Sequence, residues 1–147
     1  MYISVVVKII IGFFGSRYGC NEEKLKQKLK ELKNKYPELK IIVGDAKGVD
    51  HQVYTLCKKM NINVKVFKVF NNWDKISYQP EEDDVIKIVG SREQTLRVRL
   101  AMRTVELVKF VKKHGGFLVG CNVNGKGSQL ALKTASKLGV EVDVIEK

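Results

Sequence analysis

The chain has 147 residues, of which 44% are hydrophobic and 29% are charged, proportions typical of one globular domain spanning 1–147. They exclude a disordered chain, and no apolar run approaches the roughly 20 residues of a membrane-spanning helix, so no membrane partner is expected. The net charge of +11 favours an anionic partner, and nucleic acid is one candidate. However, all but five of the 27 basic residues are lysines, and many of these lysines belong to solvated helix faces.

Strand-like and helix-like segments alternate along the chain. Val5 to Phe13 is a β-branched run typical of a strand buried on both faces, and Asn21 is placed to cap the helix that follows. That helix ends before Pro37. Further strands are predicted over 40–44, 62–70, 85–89, 117–121 and 140–145. Helices are predicted over about 21–35, 49–60 and 94–114, and a last helix ends at Gly139. The alternation predicts an α/β fold with a mainly parallel sheet of about five or six strands.

The helix predicted over 94–114 is apolar around much of its circumference. Its apolar residues include Leu96, Leu100, Ala101, Val105, Val108 and Val111. Such a wide apolar surface predicts burial on two sides, one against the sheet and the other against a further surface. We expect that surface to belong to a second subunit, so that the chain forms a homo-oligomer through this helix.

The number and spacing of the cysteines predict that they are reduced thiols. Cys20, Cys57 and Cys121 are odd in number, widely spaced and without a Cys-x-x-Cys pair. This pattern favours a cytoplasmic protein with neither a disulfide framework nor a structural zinc site. The first residues lead into a strand-like segment rather than a signal peptide. We predict no metal site and no cofactor.

Three glycine-bearing turns each lie between a strand and a helix, and such turns meet at the carboxyl edge of an open parallel sheet, where ligands bind. The first is Gly15-Ser16-Arg17. Its backbone amides, the hydroxyl of Ser16 and the guanidinium of Arg17 suit a phosphate group. The alternative is a tight turn that carries a surface arginine.

The second turn, from Gly44 to Asp50, has neither the spacing of a P-loop nor that of a dinucleotide-binding fingerprint. Gly44 allows a sharp exit from the strand, and Gly48 opens the next helix. Asp45 and Asp50 flank the turn, and we expect one of these two carboxylates near the sugar of a ligand, with Asp50 a candidate acceptor of hydrogen bonds from a ribose or a base. The alternative is that Asp50 only complements the helix dipole.

The third turn, Gly125-Lys126-Gly127-Ser128, also precedes a helix. A lysine beside two glycines, with a hydroxyl at the start of a helix, predicts a phosphate-binding cradle. Ser128 also fits the N-cap of that helix, and the two roles are compatible.

Four of the five arginines, Arg92, Arg97, Arg99 and Arg103, cluster around the start of the long helix. Lysine supplies the charge almost everywhere else, so arginine here indicates bidentate contacts with phosphate, with carboxylate or with another subunit. We take Arg92, Arg97 and Arg99 as secondary ligand candidates. Ion pairs with the acidic run 81–84 are the alternative.

Taken in order, these turns resemble the SLOG superfamily, which groups the Smf/DprA recombination mediators with the LOG-type phosphoribohydrolases. The resemblance is closest to its small YspA-like branch and covers nearly the whole chain. It is strongest from Gly44 to Asp50, followed by Trp73. It implies a Rossmann-like, three-layer α/β/α fold with a pocket for a nucleotide or a nucleotide-derived ligand.

The resemblance leaves three functions open. The first is binding of a phosphorylated, nucleotide-like small molecule at the carboxyl ends of the strands. The second is single-stranded nucleic-acid binding as in DprA, with Tyr18, Trp73 and Tyr78 as stacking candidates. The third is hydrolysis of nucleoside 5'-monophosphates as in LOG enzymes. Ala131 stands where LOG enzymes carry their catalytic glutamate, so that activity would need a carboxylate such as Asp50, and we assign no catalytic residue.

Overall fold

The structure, a computed structural model, describes residues 8–70 and 76–146. Trp73 and the first residues of the predicted first strand, 5–7, lie outside the described residues. Within the described ranges the elements are β1 (Lys8–Gly15), α1 (Glu22–Lys35), β2 (Glu38–Gly44), α2 (Val49–Lys59), β3 (Asn63–Val69), β4 (Val85–Val89), α3 (Leu96–Lys113), β5 (Phe117–Cys121), α4 (Lys126–Leu138) and β6 (Val142–Glu146), with a short 3-10 turn at Glu82–Asp84. This confirms the predicted α/β class and the number of strands.

The six strands form one parallel sheet in the order β4-β3-β2-β1-β5-β6. The chain winds outward from β1 to β4, returns through α3 to β5 on the other side of β1, and ends at the edge strand β6. The winding therefore reverses between β1 and β5, where Gly15 pairs with Cys121. At such a reversal the loops leave in opposite directions and open a crevice at the carboxyl ends of the strands.

Two hydrophobic cores, one on each face of the sheet, make the fold three-layered. Leu25 and Leu29 of α1 pack with Val53 of α2 on one face, and Val108 of α3 packs with Ala135 of α4 on the other. In β1 the side chains alternate between the two cores because successive residues of a strand point to opposite faces. None of the described helices combines the length and the apolar content that a bilayer crossing requires.

The helix N-termini fall into two kinds. Asn21 caps α1 by accepting a hydrogen bond from the N–H of Lys24 (3.1 Å), as predicted, and Thr95 caps α3 in the same way. The N-cap residues of α2 and α4 are Gly48 and Gly125, and no side chain caps either helix. At the other end of α4, Gly139 adopts the left-handed conformation (φ 71°) and ends the helix, as predicted.

The close approach of β1 and β5 at the reversal can be tested by a substitution at Gly15. A Cβ on Gly15 would collide with the backbone carbonyl oxygen of Cys121 and with the side chain of Val49, whereas a Cβ on Gly127 would meet no atom within 4 Å. We expect Gly15→Ala to lower the free energy of unfolding by about 2 kcal/mol or more, because backbone has to move. Gly127→Ala should raise it by about 0.5 kcal/mol, because alanine is the better helix former.

Urea unfolding of the two variants beside the wild type measures both effects. Equal stability of Gly15→Ala and the wild type would contradict the close approach of β1 and β5.

Candidate functional site

The third turn leaves β5 through Asn122, which adopts a left-handed backbone conformation (φ 55°). The side-chain amide of Asn122 donates to the carbonyl oxygen of Gly19 in the first turn (2.8 Å), so the two turns beside the reversal are joined. Gln129 of α4 donates back to the carbonyl oxygen of Val123 (2.7 Å). The loop is therefore fixed from both sides, and it presents the start of α4 in a defined position.

The first turn of α4 has polar groups without protein partners. The hydroxyl of Ser128 is buried and makes no hydrogen bond with any described residue. No side chain caps the helix, and a Cβ on Gly125 or Gly127 would meet nothing within 4 Å. Buried polar groups are almost always paired, so an unpaired hydroxyl beside free helix amides indicates a place for a ligand. These groups and the positive end of the helix dipole suit an anion.

The N-cap of α4 differs from the prediction. The N–H of Gln129 donates to the carbonyl oxygen of Gly125 (2.9 Å), so the helix begins three residues earlier than a cap at Ser128 would allow. Ser128 is therefore inside the first turn, and the prediction that it caps the helix is wrong. The predicted cradle residues Gly125, Lys126, Gly127 and Ser128 remain together there.

Just after the first turn, by contrast, the amides of Tyr18, Gly19 and Cys20 already have partners. The hydroxyl oxygen of Ser16 accepts from the N–H of Tyr18 (3.0 Å), and its carbonyl oxygen accepts from Gly19 and from Val49. The N–H of Cys20 donates to the side chain of Gln52 (3.0 Å). These contacts hold the turn against α2, and Gly48 must lack a side chain because a Cβ there would collide with this backbone. The turn therefore forms one wall of the crevice.

Two side chains of the first turn remain accessible. Arg17 is exposed, and its guanidinium lies 5.5 Å from the ring centre of Tyr18. Tyr18 is 85% exposed, which is unusual for an aromatic ring in a folded protein. Of the other predicted stacking residues, Tyr78 is buried and its hydroxyl donates to the carbonyl oxygen of Gly44, which rules it out as an open stacking surface.

The second turn contains a buried ion pair. The carboxylate of Asp45 is fully buried, and it accepts from the guanidinium of Arg103 (2.7 Å) and from the N–H of Val69 (3.2 Å). The pair joins the end of β2 to α3 across the carboxyl edge of the sheet. A buried carboxylate with a close guanidinium is costly to break, since removal of one partner leaves the other charge unpaired.

Asp50 lies beside that pair in the first turn of α2. Burial raises the pKa of Asp50 to about 7, and the nearby carboxylate of Asp45 adds to the rise, while Arg103 and a hydrogen bond from the N–H of Ala46 oppose it. Asp50 thus changes its charge near neutral pH. Its carboxylate faces the backbone of Gly44, inside the structure, as the Cβ position of that glycine shows.

The arginines at the start of α3 divide into two pairs. Arg103 pairs with Asp45, and Arg99 is buried and donates to the carbonyl oxygen of Phe70 (2.7 Å). Arg92 and Arg97 are exposed. Arg99 and Arg103 therefore do not form the alternative ion pairs with the acidic run 81–84. Lys58 instead forms ion pairs with two residues of that run, Glu81 at 2.9 Å and Asp84 at 3.0 Å.

The prediction of three reduced cysteines is wrong for two of them. Cys20 and Cys121 form a disulfide between the end of the first turn and the end of β5, across 101 residues of sequence. Their Cα atoms are 6.4 Å apart, within the range that a disulfide spans. Only Cys57 is a free thiol among the described residues. The spacing of the cysteines could not show the pair, since the pairing of β1 with β5 creates it.

A cavity of about 370 Å³ lies at the opposite edge of the sheet, where Lys8, Glu38 and Asn63 begin three strands. The residues before Lys8 lie outside the described residues, so we assign no ligand to this cavity.

The raised pKa of Asp50 makes stability depend on pH. Below about pH 4 the carboxyl of Asp50 is protonated in both the folded and the unfolded protein. Between about pH 4 and pH 7 the folded protein holds this proton more tightly than the unfolded chain does, so the free energy of unfolding falls as the pH rises. We expect Asp50→Asn, which carries no such charge, to gain on the wild type by up to about 4 kcal/mol between pH 4 and pH 8.

Urea unfolding of both proteins at the two pH values measures this gain. Asp83→Asn, a change at an exposed carboxylate, is the control and should show little of it. A constant difference between Asp50→Asn and the wild type would contradict the buried, protonated state.

Comparison with known proteins places the fold. No family model matches the sequence, and no curated protein matches it. Among solved structures, the chain is similar to DNA processing protein A (DprA) from Streptococcus pneumoniae, with a TM-score of 0.65 and 18% identity. The molybdenum cofactor carrier protein from Chlamydomonas reinhardtii is less similar, with a TM-score of 0.41 and 16% identity over 93% of this chain and 89% of that one.

The match with DprA covers 93% of this chain and 50% of that protein, so the chain spans about half the length of DprA. At this level of identity the likeness shows a shared fold, and the chain is an α/β protein with the Rossmann-like fold present in DprA.

Proposed function

We propose that the chain is a SLOG-type protein that binds a phosphorylated, nucleotide-like small molecule at the first turn of α4. The observation that carries this proposal is the uncapped helix start, where the buried hydroxyl of Ser128 lacks a partner among the described residues and two glycines face open space. The motif at Gly44 to Asp50 and the likeness to DprA support the family.

The chemistry of the site favours a phosphate over other ligands. The first amides of α4 point to the N-terminal side of the helix, where its dipole places roughly half a positive charge. Lys126 is exposed in the same turn and adds a full positive charge. Glycine at 125 and 127 lets a phosphate oxygen come within hydrogen-bond distance of the backbone, and the hydroxyl of Ser128 supplies a further donor.

The nucleoside would lie toward the first turn, on the other side of the crevice. Arg17 and Tyr18 are the accessible side chains there, and the bond from Asn122 to Gly19 joins this turn to the loop before α4. An exposed tyrosine offers a face on which a base stacks. Asp45 is committed to Arg103 and fully buried, so we assign it no contact with the sugar.

We infer binding without turnover. Ala131, at the position of the LOG glutamate, is 2% exposed, and its methyl group packs in the core shared with α3. Asp50 faces Gly44 and Arg103 rather than the start of α4. Purified protein incubated with a panel of nucleoside 5'-monophosphates should therefore release no free base in a chromatographic assay. Release of base at a rate proportional to the protein concentration would overturn the binding-only function.

The binding site is tested by Gly127→Ala. The added methyl group should not lower stability, but it occupies space that a phosphate needs. We expect affinity for a nucleoside monophosphate, measured by calorimetry with inorganic phosphate as a second probe, to fall about tenfold or more, the effect of losing at least 1.4 kcal/mol. Undiminished affinity in this variant would contradict a site at the start of α4.

Charge reversal offers a matched pair in the same helix. Lys126→Glu and Lys133→Glu change the net charge equally, and both lysines are exposed seven residues apart on one face. Only Lys126 is in the first turn. We expect Lys126→Glu to weaken binding clearly more than Lys133→Glu does, and equal effects would indicate attraction by net charge alone.

Single-stranded nucleic acid is a second candidate ligand, favoured by the net charge of +11 and by the exposed ring of Tyr18 beside Arg17. Fluorescence anisotropy with a labelled oligonucleotide should then show affinity that falls steeply with salt and weakens in Tyr18→Ala. Affinity unchanged in Tyr18→Ala would leave only non-specific attraction to a basic surface.

A further inference from the structure

Three metal-binding side chains from distant parts of the chain meet beside the crevice. The sulfur atoms of Cys20 and Cys121 and a carboxylate oxygen of Glu146 all lie within 4.8 Å of one another. Cys20 immediately precedes the cap of α1, Cys121 ends β5, and Glu146 ends β6. We call these three residues the Cys–Cys–Glu cluster. No short motif in the sequence announces it, because each residue comes from a different element.

The carboxylate of the cluster has an oxygen that lacks a hydrogen bond. This oxygen of Glu146 is buried and has no hydrogen-bond partner among the described residues. The ammonium of Lys24 is 3.9 Å away, beyond hydrogen-bond distance, and the Lys24 side chain is 56% exposed. This ion pair is long and leaves the oxygen without a hydrogen bond, and a metal ion in direct contact would give the oxygen a closer cationic partner.

We propose that, when its cysteines are reduced, the Cys–Cys–Glu cluster binds a thiophilic divalent cation, with zinc as the best fit. Two thiolates and one carboxylate are donors that zinc accepts, and sulfur ligands disfavour magnesium and calcium. Three protein ligands leave the fourth tetrahedral position open. Two thiolates on one zinc ion lie about 3.8 Å apart, which cysteines with Cα atoms 6.4 Å apart can reach.

The metal and the disulfide exclude each other. In the disulfide the two sulfurs are bonded to one another and have no thiolate to offer. An external dithiol supplies the two electrons that break this bond: it becomes a disulfide itself, and Cys20 and Cys121 become thiols. Zinc then replaces the two thiol protons, which are released.

The third cysteine is a natural control. Cys57 lies in the core between α2 and the sheet, and burial raises the pKa of its thiol to about 12. It therefore stays a protonated thiol at neutral pH and offers no thiolate ligand. Glu141 is the matched carboxylate: it is exposed, just before β6, and outside the cluster.

Cobalt(II) and zinc titrations of the full chain test the site. Protein reduced with a phosphine, which is then removed without air, should bind one equivalent of cobalt with the intense near-ultraviolet absorption of a thiolate-to-cobalt transition, and zinc should displace it. The same chain with its disulfide intact should bind neither metal. Because only the redox state differs, this comparison does not depend on whether any variant folds.

The variants identify the ligands. Cys57→Ala and Glu141→Gln should bind as the wild type does, Cys20→Ser should lose the thiolate absorption, and Glu146→Gln should weaken zinc binding about tenfold or more. Absence of binding by the reduced wild type would overturn the site, and so would binding that persists in the oxidised protein or in Cys20→Ser. The metal titration uses no nucleotide, so its outcome is read separately from that of the nucleotide-binding test at the start of α4.

Discussion

The parallel pairing of β1 with β5 is the contact on which the rest of the structure depends. It is where the winding of the sheet reverses, and it brings residues about a hundred positions apart into register, Gly15 opposite Cys121. The absence of a side chain at Gly15 allows the backbone of β5 and the side chain of Val49 to come close. From this one pairing follow the crevice between the first and third turns, the disulfide of Cys20 with Cys121, and the position of Glu146 on the next strand.

Glycine has two different roles around that crevice, and the difference decides where a ligand can bind. At Gly15 and Gly48 a side chain would strike neighbouring backbone, so these glycines serve the packing of the protein itself. At Gly125 and Gly127 a side chain would meet nothing, and at Gly127, inside the first turn of α4, glycine is a poorer helix former than alanine with no gain in packing. A glycine that lowers helix stability without a gain in packing is consistent with the phosphate site proposed there. Both kinds have the same sequence signature, a glycine between a strand and a helix.

The difference between local and long-range contacts explains which features the sequence could predict. The alternation of strands and helices, the caps at Asn21 and Gly139 and the opening of α2 by Gly48 are local properties, and they were predicted from local patterns. Strand order, the bond from Arg103 to Asp45 and the pairing of Cys20 with Cys121 depend on which distant segments meet, which a local pattern does not encode. Ser128 shows the limit even within one turn: its residue type fits a cap, but the first hydrogen bond of α4 goes to Gly125. Glycines of one signature separate into cradle and packing positions only when their neighbours are known.

The two proposed sites are joined through Asn122. Its side chain donates to the carbonyl oxygen of Gly19, next to Cys20, and its backbone N–H donates to the carbonyl oxygen of Glu146 (2.6 Å). Asn122 also follows Cys121 directly and stands three residues before the N-cap of α4. The Cys–Cys–Glu cluster and the proposed anion site therefore share one short segment of backbone. Because the two sites share this segment, ligand affinity should be compared between samples in which Cys20 and Cys121 have the same redox state.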